Sequence, residues 1–340
     1  MTAWPGAAAG RDRLGTAAGA TRPALGALDG GGGAASVAGT AGGTLGEAVG
    51  EAVGEAVGEA PALEIEEAAA IASALHEAVS TVVLDSASAV TVAVCAAVSG
   101  GHLLIEDVPG TGKTILGHAL AAALGATLSR IQGHTDLLPA DVTGVSVYSP
   151  ANGDWQFHPG PVFGHVVLLD ELNRTPPRTQ SALLEAMGEG QVTVDGSSRV
   201  LPRPHLVIAT QNPVGQLGTF PLVESQLDRF ALSTSLGYPD AESELTLALG
   251  HGGRSALDAL RPVCSTSTWR RLVDVCVAVH VARPVAEYAV QLCRATRESP
   301  SVRLGASPRA SNTLVRSAQA HALVDGRAYA PPSAIFPRAG

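Results

Sequence analysis

The chain has 340 residues, 46% of them hydrophobic, 16% charged and 4% aromatic, and at roughly 150 residues per domain that suggests about two folded units with a sizeable core. A formal net charge of -9 argues against a surface built to neutralise phosphate backbones, so nucleic-acid binding is not expected. The longest apolar runs, such as Val90 to Val98, are about half the ~20 residues that a membrane-spanning helix needs, and no apolar signal-type segment opens the chain, so a cytoplasmic protein without a membrane span is expected.

Residues 1 to 60 hold 16 Gly and 17 Ala and end in a Gly-Glu-Ala-Val repeat from Gly46 to Ala60. Such a segment buries too little apolar surface to offset its ordering entropy, and residues 1–62 are expected to be disordered. From there Leu63, Ile65, Ala69, Ile71, Leu75 and Val79 recur at helical spacing, which predicts a helix leading into the folded part. Strand-like runs at His102 to Ile105, Val166 to Leu169 and Leu206 to Ala209 are separated by helical stretches at Thr114 to Leu124 and Pro177 to Met187. That alternation predicts an α/β domain over residues 63–238, with a parallel sheet between helices. Val145, Val147, Trp155 and Phe157 flank an Asn152-Gly153 turn, and Val192 and Val194 alternate into Asp195-Gly196; both read as β-hairpins inserted on either side of the Val166 strand.

After Tyr238-Pro239 the pattern turns helical, around Ala241 to Leu249, Trp269 to His280, Val285 to Arg297 and Ser311 to Val324, predicting a small all-helical second domain over residues 239–340. Residues 250–340 carry a net +7 and residues 1–249 a net -16, so an acidic body with a basic helical lid could hold anions or dock subunit to subunit. The four cysteines, Cys95, Cys264, Cys276 and Cys293, form no CxxC pair, and the ten histidines show neither HxH nor HxxxH spacing. Buried thiols, structural histidines and no protein-bound transition metal are therefore expected.

The single lysine of the chain, Lys113, stands in Asp107-Val108-Pro109-Gly110-Thr111-Gly112-Lys113-Thr114, after a strand and before a helix. This string resembles a Walker A phosphate loop, with Asp107 in place of its first glycine. Gly110 and Gly112 let backbone N–H groups approach a β-phosphate, the helix N-terminus adds a favourable dipole, Lys113 would span β- and γ-phosphates, and the Thr114 hydroxyl can ligate magnesium. Fifty-six residues after Thr114, Val166-Val167-Leu168-Leu169 delivers Asp170 and Glu171 at a strand end, which looks like a Walker B pair. Asp170 would hold Mg2+ and Glu171 would polarise the attacking water. The Leu206 to Thr210 run ends in Gln211-Asn212, where Asn212 is suited to position that water; Leu227-Asp228-Arg229-Phe230 puts an arginine at a helix end, and Gly305 to Ala310 starts a helix carrying Arg309, an arginine able to reach the γ-phosphate.

In this order the five features resemble the AAA+ ATPases, and specifically the MoxR family, over about residues 64–330. The match extends to Arg130-Ile131-Gln132, Asp136 to Pro139, Thr143-Gly144, Gly160-Pro161, Asp170 to Arg174, Ala182 to Met187, Ala209 to Pro213 and Gln226 to Phe230. The resemblance implies an AAA+ P-loop NTPase core with two hairpin insertions and a helical lid, binding ATP between the subunits of a homo-oligomeric, commonly hexameric, ring. It implies Arg229 as a finger acting in trans, Arg309 as second sensor, and chaperone-like maturation of protein partners, often proteins with von Willebrand factor A domains. The chain departs from the family at Val82 to Ser86, where a Gly-Gln pair usually contacts adenine, at Val223, where a proline is usual, and at its end, Gly340, where relatives continue into a further lid helix.

Two readings follow. In the first the protein hydrolyses Mg-ATP in a ring and works on a protein partner; in the second, favoured by the shortened lid, it is an ATP-binding interaction module with little turnover. A P-loop kinase would leave Arg229 and Arg309 without purpose, and the hairpins carry too little basic character, only Arg199 near the second, for DNA remodelling.

Overall fold

The computed structural model describes residues 63–335 apart from 152 and 213–217; the disorder expected over residues 1–62 lies outside them. Two helices come first, α1 (Ile65–Ser80) and α2 (Ala87–Val98), followed by β1 (Leu103–Glu106) and α3 (Lys113–Ala123). Then come β2 (Leu128–Gln132), α4 (Pro139–Thr143), the hairpin β3 (Gly144–Ser149) and β4 (Asp154–Pro159), β5 (Val166–Asp170), α5 (Pro177–Glu189) and the hairpin β6 (Gln191–Val194) and β7 (Ser197–Val200). The α/β part closes with β8 (Leu206–Gln211), α6 (Glu224–Leu227) and β9 (Leu232–Thr234). Six helices follow: α7 (Ala241–Ala248), α8 (Gly253–Ala259), α9 (Thr266–Ala278), α10 (Arg283–Glu298), α11 (Pro308–Val324) and α12 (Pro332–Ile335).

Strands β2-β5-β8-β1-β9 lie side by side in one sheet, every neighbouring pair parallel. Alternation along each strand divides the core into two layers. Leu103, Ile105, Val166, Leu168, Leu206 and Ile208 face one apolar cluster, shared with α1, α2, α3 and the later helices. Leu104, Val167, Leu169, Val207 and Ala209 face the other, closed by Leu183, Leu184 and Met187 of α5. All five residues of β5 are buried, as a central parallel strand with both faces covered requires.

The helices after residue 240 share the first cluster. Trp269, 1% exposed, donates its indole N–H to the Ala97 carbonyl at 2.9 Å, fastening α9 to the end of α2. Both predicted hairpins form, as separate two-stranded sheets. Arg199 of the second stacks 3.7 Å over the Phe157 ring of the first, so the one basic side chain near them serves to join them. Cys95, Cys276 and Cys293 are buried and Cys264 half-buried. Burial raises the thiols of Cys264, to about 11, and Cys276, to about 12.

Candidate nucleotide site

The expected groups collect where parallel strands end. Glu106 is in register with Gln211 and Gln132 with Asp170, so the phosphate loop, Asp170, Glu171 and Asn212 all leave the C-terminal edge of the sheet. Gly110 and Gly112 have φ of +89° and +91°, a region that side-chain-bearing residues rarely enter. Gly112 caps α3, whose first residues are Lys113 and Thr114, so the loop runs straight into a helix N-terminus and its dipole.

Lys113 Nζ rests on its own loop, donating to the carbonyl of Asp107 at 3.2 Å and to that of Val108, with the Thr111 hydroxyl at 3.5 Å. Burial lowers its pKa, and the charges of Asp107, Asp170 and Glu171 act against that. All three are carboxylates that sense the ammonium, yet none accepts a hydrogen bond from it.

Asp107 behaves differently from a phosphate ligand. It is 8% exposed, and its carboxylate accepts backbone N–H groups from Val108 at 2.7 Å and from Leu236 and Gly237 at 2.9 Å each. Burial pushes its pKa up, but the N–H donors of Gly237, Val108 and Leu236, with the Thr111 hydroxyl, outweigh burial and hold it below the usual carboxylate value.

The acidic pair is held by residues that sequence reasoning quoted only as part of a family match. Arg130 Nε lies 2.8 Å from Asp170 Oδ2 and its Nη2 donates to Gln132 Oε1 at 3.0 Å. Gln132 Nε2 in turn donates to Glu171 Oε2 at 3.3 Å, which Arg174 Nη1 also approaches at 3.2 Å. Alternation places Arg130 and Gln132 on one face of β2, and the register beside β5 brings that face to the acids. Glu171 adopts φ +58° and ψ +51°, costing roughly 1–2 kcal/mol for a residue with a Cβ. Its N–H bonds the Thr210 hydroxyl at 3.0 Å. Gly133 allows the close approach: a Cβ there would meet the Glu171 carbonyl at 2.3 Å. Asn212 sits beside the pair, its carbonyl accepting Asn173 Nδ2 at 3.2 Å.

These residues fit a magnesium nucleotide. Backbone N–H groups, a helix N-terminus and an ammonium without a carboxylate partner suit polyphosphate, and Thr114 with Asp170 offers a hydroxyl and a carboxylate. No cluster of three or more His, Cys, Asp or Glu suited to a metal forms among the described residues.

Arg229 and Arg309 are not brought to this edge. Arg229 Nη1 donates to the Leu184 carbonyl of α5. Two residues on, the Ala231 N–H bonds the His102 carbonyl at 2.8 Å, at the N-terminal end of β1. Arg309 follows Ser307, whose hydroxyl bonds Asp228 Oδ1 at 2.7 Å, and its charge reaches His102. The four residues of β1, about 13 Å of extended chain, separate His102 from the phosphate loop. The expectation that Arg309 reaches the γ-phosphate is not met within one chain, because the start of α11 is docked on the Asp228-Arg229 turn.

Comparison with known proteins agrees with this geometry. Residues 102–232 match the family model described as "ATPase family associated with various cellular activities (AAA)", and residues 294–336 match the "AAA lid domain" model. The Bacillus subtilis protein YeaC, itself uncharacterised, is 47% identical over 69% of this chain and 73% of its own. Chaperone MoxR1 of Mycobacterium tuberculosis is 37% identical over 70% of this chain and 65% of its own length, and MoxR of Paracoccus denitrificans is 30% identical over 76% and 83%. This chain belongs to the MoxR family of AAA+ ATPases. A crystal structure of an ATPase candidate from Cytophaga hutchinsonii shares the MoxR-family fold seen here, with a TM-score of 0.72 and 34% identity over 80% of this chain and 85% of that one. No helix among the described residues of this MoxR-family chain is long and apolar enough to cross a membrane.

Proposed function

We propose that this MoxR-family protein binds and hydrolyses Mg-ATP in a homo-oligomeric ring, read as hexameric, and uses the cycle to remodel or mature a protein partner. In this reading residues 63–238 form the ATPase core and 239–340 its helical lid. One observation carries the ring: the phosphate loop, Asp170, Glu171 and Asn212 lie at the C-terminal edge of the sheet, and Arg229 and Arg309 at the other. A single chain cannot complete its own site, whereas a head-to-tail neighbour supplies both arginines.

The roles follow from position. Lys113 and the 108–112 loop amides bind the phosphates, Thr114 and Asp170 hold magnesium, Glu171 takes the proton of the attacking water and Asn212 orients it. When bound, the metal neutralises developing charge on the β- and γ-oxygens. The neighbour's arginines would then sit where negative charge grows in the transition state.

A protein partner is supported by the β3–β4 hairpin. Val145, Val147, Tyr148 and Trp155 are exposed there, Trp155 by 66%, and no Lys or Arg lies between Val145 and Phe157. Exposed apolar and aromatic side chains on two strands that carry no Lys or Arg of their own suit a protein surface better than phosphate backbone. A von Willebrand factor A domain partner is the family-based candidate.

Steady-state ATPase activity at high protein concentration, with light scattering in parallel, tests the reading on the full chain and on Glu171→Gln. Magnesium-dependent turnover in an assembled particle, lost in Glu171→Gln, is expected. Nucleotide binding by a monomer without turnover would replace it with the ATP-binding interaction module.

A further inference from the structure

The residue standing where a phosphate loop has its first glycine has a task of its own. Leu236 and Gly237 open the linker to α7, and both N–H groups end on Asp107 Oδ2. Gly237 has φ +73°, so the linker turns there in a conformation that favours glycine. Three residues on, the Asp240 N–H donates to Asp85 Oδ2 at 2.7 Å, and Asp240 caps α7 through the Ser243 N–H. The linker is thus pinned to the α/β part by two carboxylates, one of which belongs to the phosphate loop.

Asp107 is also fixed from the other side. Its N–H bonds the Gln211 carbonyl of β8 at 3.2 Å, and its carbonyl accepts from Lys113 Nζ. An unbroken run of hydrogen bonds therefore leads from the ammonium that reads phosphate, through the backbone and carboxylate of Asp107, to the amides of the linker. An ammonium that moves onto phosphate leaves the Asp107 and Val108 carbonyls, which removes one of the contacts that hold Asp107 in place. The carboxylate itself cannot serve as a phosphate contact, since like charges repel and its oxygens already accept three N–H groups.

We propose that Asp107 is a positioning residue that ties the phosphate loop to the 236–240 linker, so that filling the loop changes the linker and, through it, the helices beyond. This rests on the nucleotide reading above and adds to it the route by which occupancy reaches α7.

Hydrogen exchange of a peptide spanning 234–240, measured on the full chain with and without ADP, reads the two amides directly, and calorimetry gives ADP affinity on the same samples. In the wild type, ADP should change exchange in that peptide by about threefold or more. In Asp107→Gly, which restores the usual glycine, the peptide should exchange about tenfold faster without ADP and stop responding to it, while ADP affinity stays within about threefold. Asp107→Asn, retaining one acceptor oxygen, should fall between the two, and unchanged exchange in β5 peptides shows that each variant is folded. Wild-type protection in Asp107→Gly, or a wild-type peptide indifferent to bound ADP, would overturn the proposal. So would a loss of ADP affinity of about thirtyfold with the linker response intact, since Asp107 would then act on the phosphates. Failure of the wild type to bind ADP at all would bring down the nucleotide reading, and the calorimetry shows this separately from any exchange result.

Discussion

Arg130 Nε on β2 lies 2.8 Å from Asp170 Oδ2 on β5, so the carboxylate proposed for magnesium carries a counter-ion of its own. Asp170 is 6% exposed, and a polar group so buried is costly unless it is paired. A metal entering there has to share or displace the guanidinium. In Arg130→Ala the magnesium concentration giving half-maximal ATP turnover should fall by about twofold to tenfold, as expected for removing a competing charge at contact distance. A magnesium titration of ATPase activity checks it: an unchanged requirement would show that Arg130 does not compete with the metal, and a higher one that it positions Asp170 for it.

The lysine prediction concerns binding alone. Among the described residues the Lys113 ammonium hydrogen-bonds to carbonyls and a hydroxyl of its own loop, so Lys113→Ala should leave the fold intact. Its ADP affinity should fall by about a hundredfold, roughly 3 kcal/mol. Calorimetric titration with far-UV circular dichroism separates the two effects.

Complementation tests the placement of Arg229. Lys113→Ala and Arg229→Ala should each be inactive, one for want of a phosphate loop and the other for want of a finger. Mixed one to one, about a quarter of junctions pair an intact loop with an intact finger, so activity should return to about that fraction of wild type. A mixture as inactive as its parts would place Arg229 outside catalysis in trans.

His102 gives a pH prediction. Burial holds its pKa down, to about 4, against the opposing hydrogen bond to the Met187 carbonyl, while in the unfolded chain the ring titrates near its ordinary ~6.5. Unfolding therefore takes up a proton between those values, so stability is flat above pH ~6.5 and falls as pH drops from there to about 4. Urea unfolding at pH 7 and pH 5 should show the wild type losing about 2 kcal/mol more than His102→Gln.

Trp269→Ala should destabilise the chain by about 3–5 kcal/mol, the range for deleting a fully buried large aromatic. It also frees the Ala97 carbonyl and opens the seam between α2 and α9. Differential scanning calorimetry would show a lower transition temperature, and a shift of less than a degree would contradict the packing described.

Much of this was legible from sequence. The continuous apolar runs at β5 and β8, bounded by turn signals, read as strands buried on both faces, and the two hairpins announced themselves by alternation around glycine turns. β2 was not foreseen as a strand, because Leu128-Ser129-Arg130-Ile131-Gln132 is an edge strand with one wet face. β9 is three residues long, too short for any period. α2 is Ala- and Val-rich and buried almost all round, so its apolar run carries no helical stripe. At the site, residue identities followed from motif spacing, but contacts between distant segments did not. Nothing local links Asp107 to Leu236, or Ser307 to Asp228, and the opposite placement of Arg309 became visible only with the topology of the sheet.

With loop and arginines at opposite edges of the sheet, working sites in the proposed ring would count junctions and not chains. An open arc of six copies would hold five, and only closure of the ring supplies the sixth. Activity per milligram would then climb with dilution reversed, steeply while rings are still closing and flat once every end has met another.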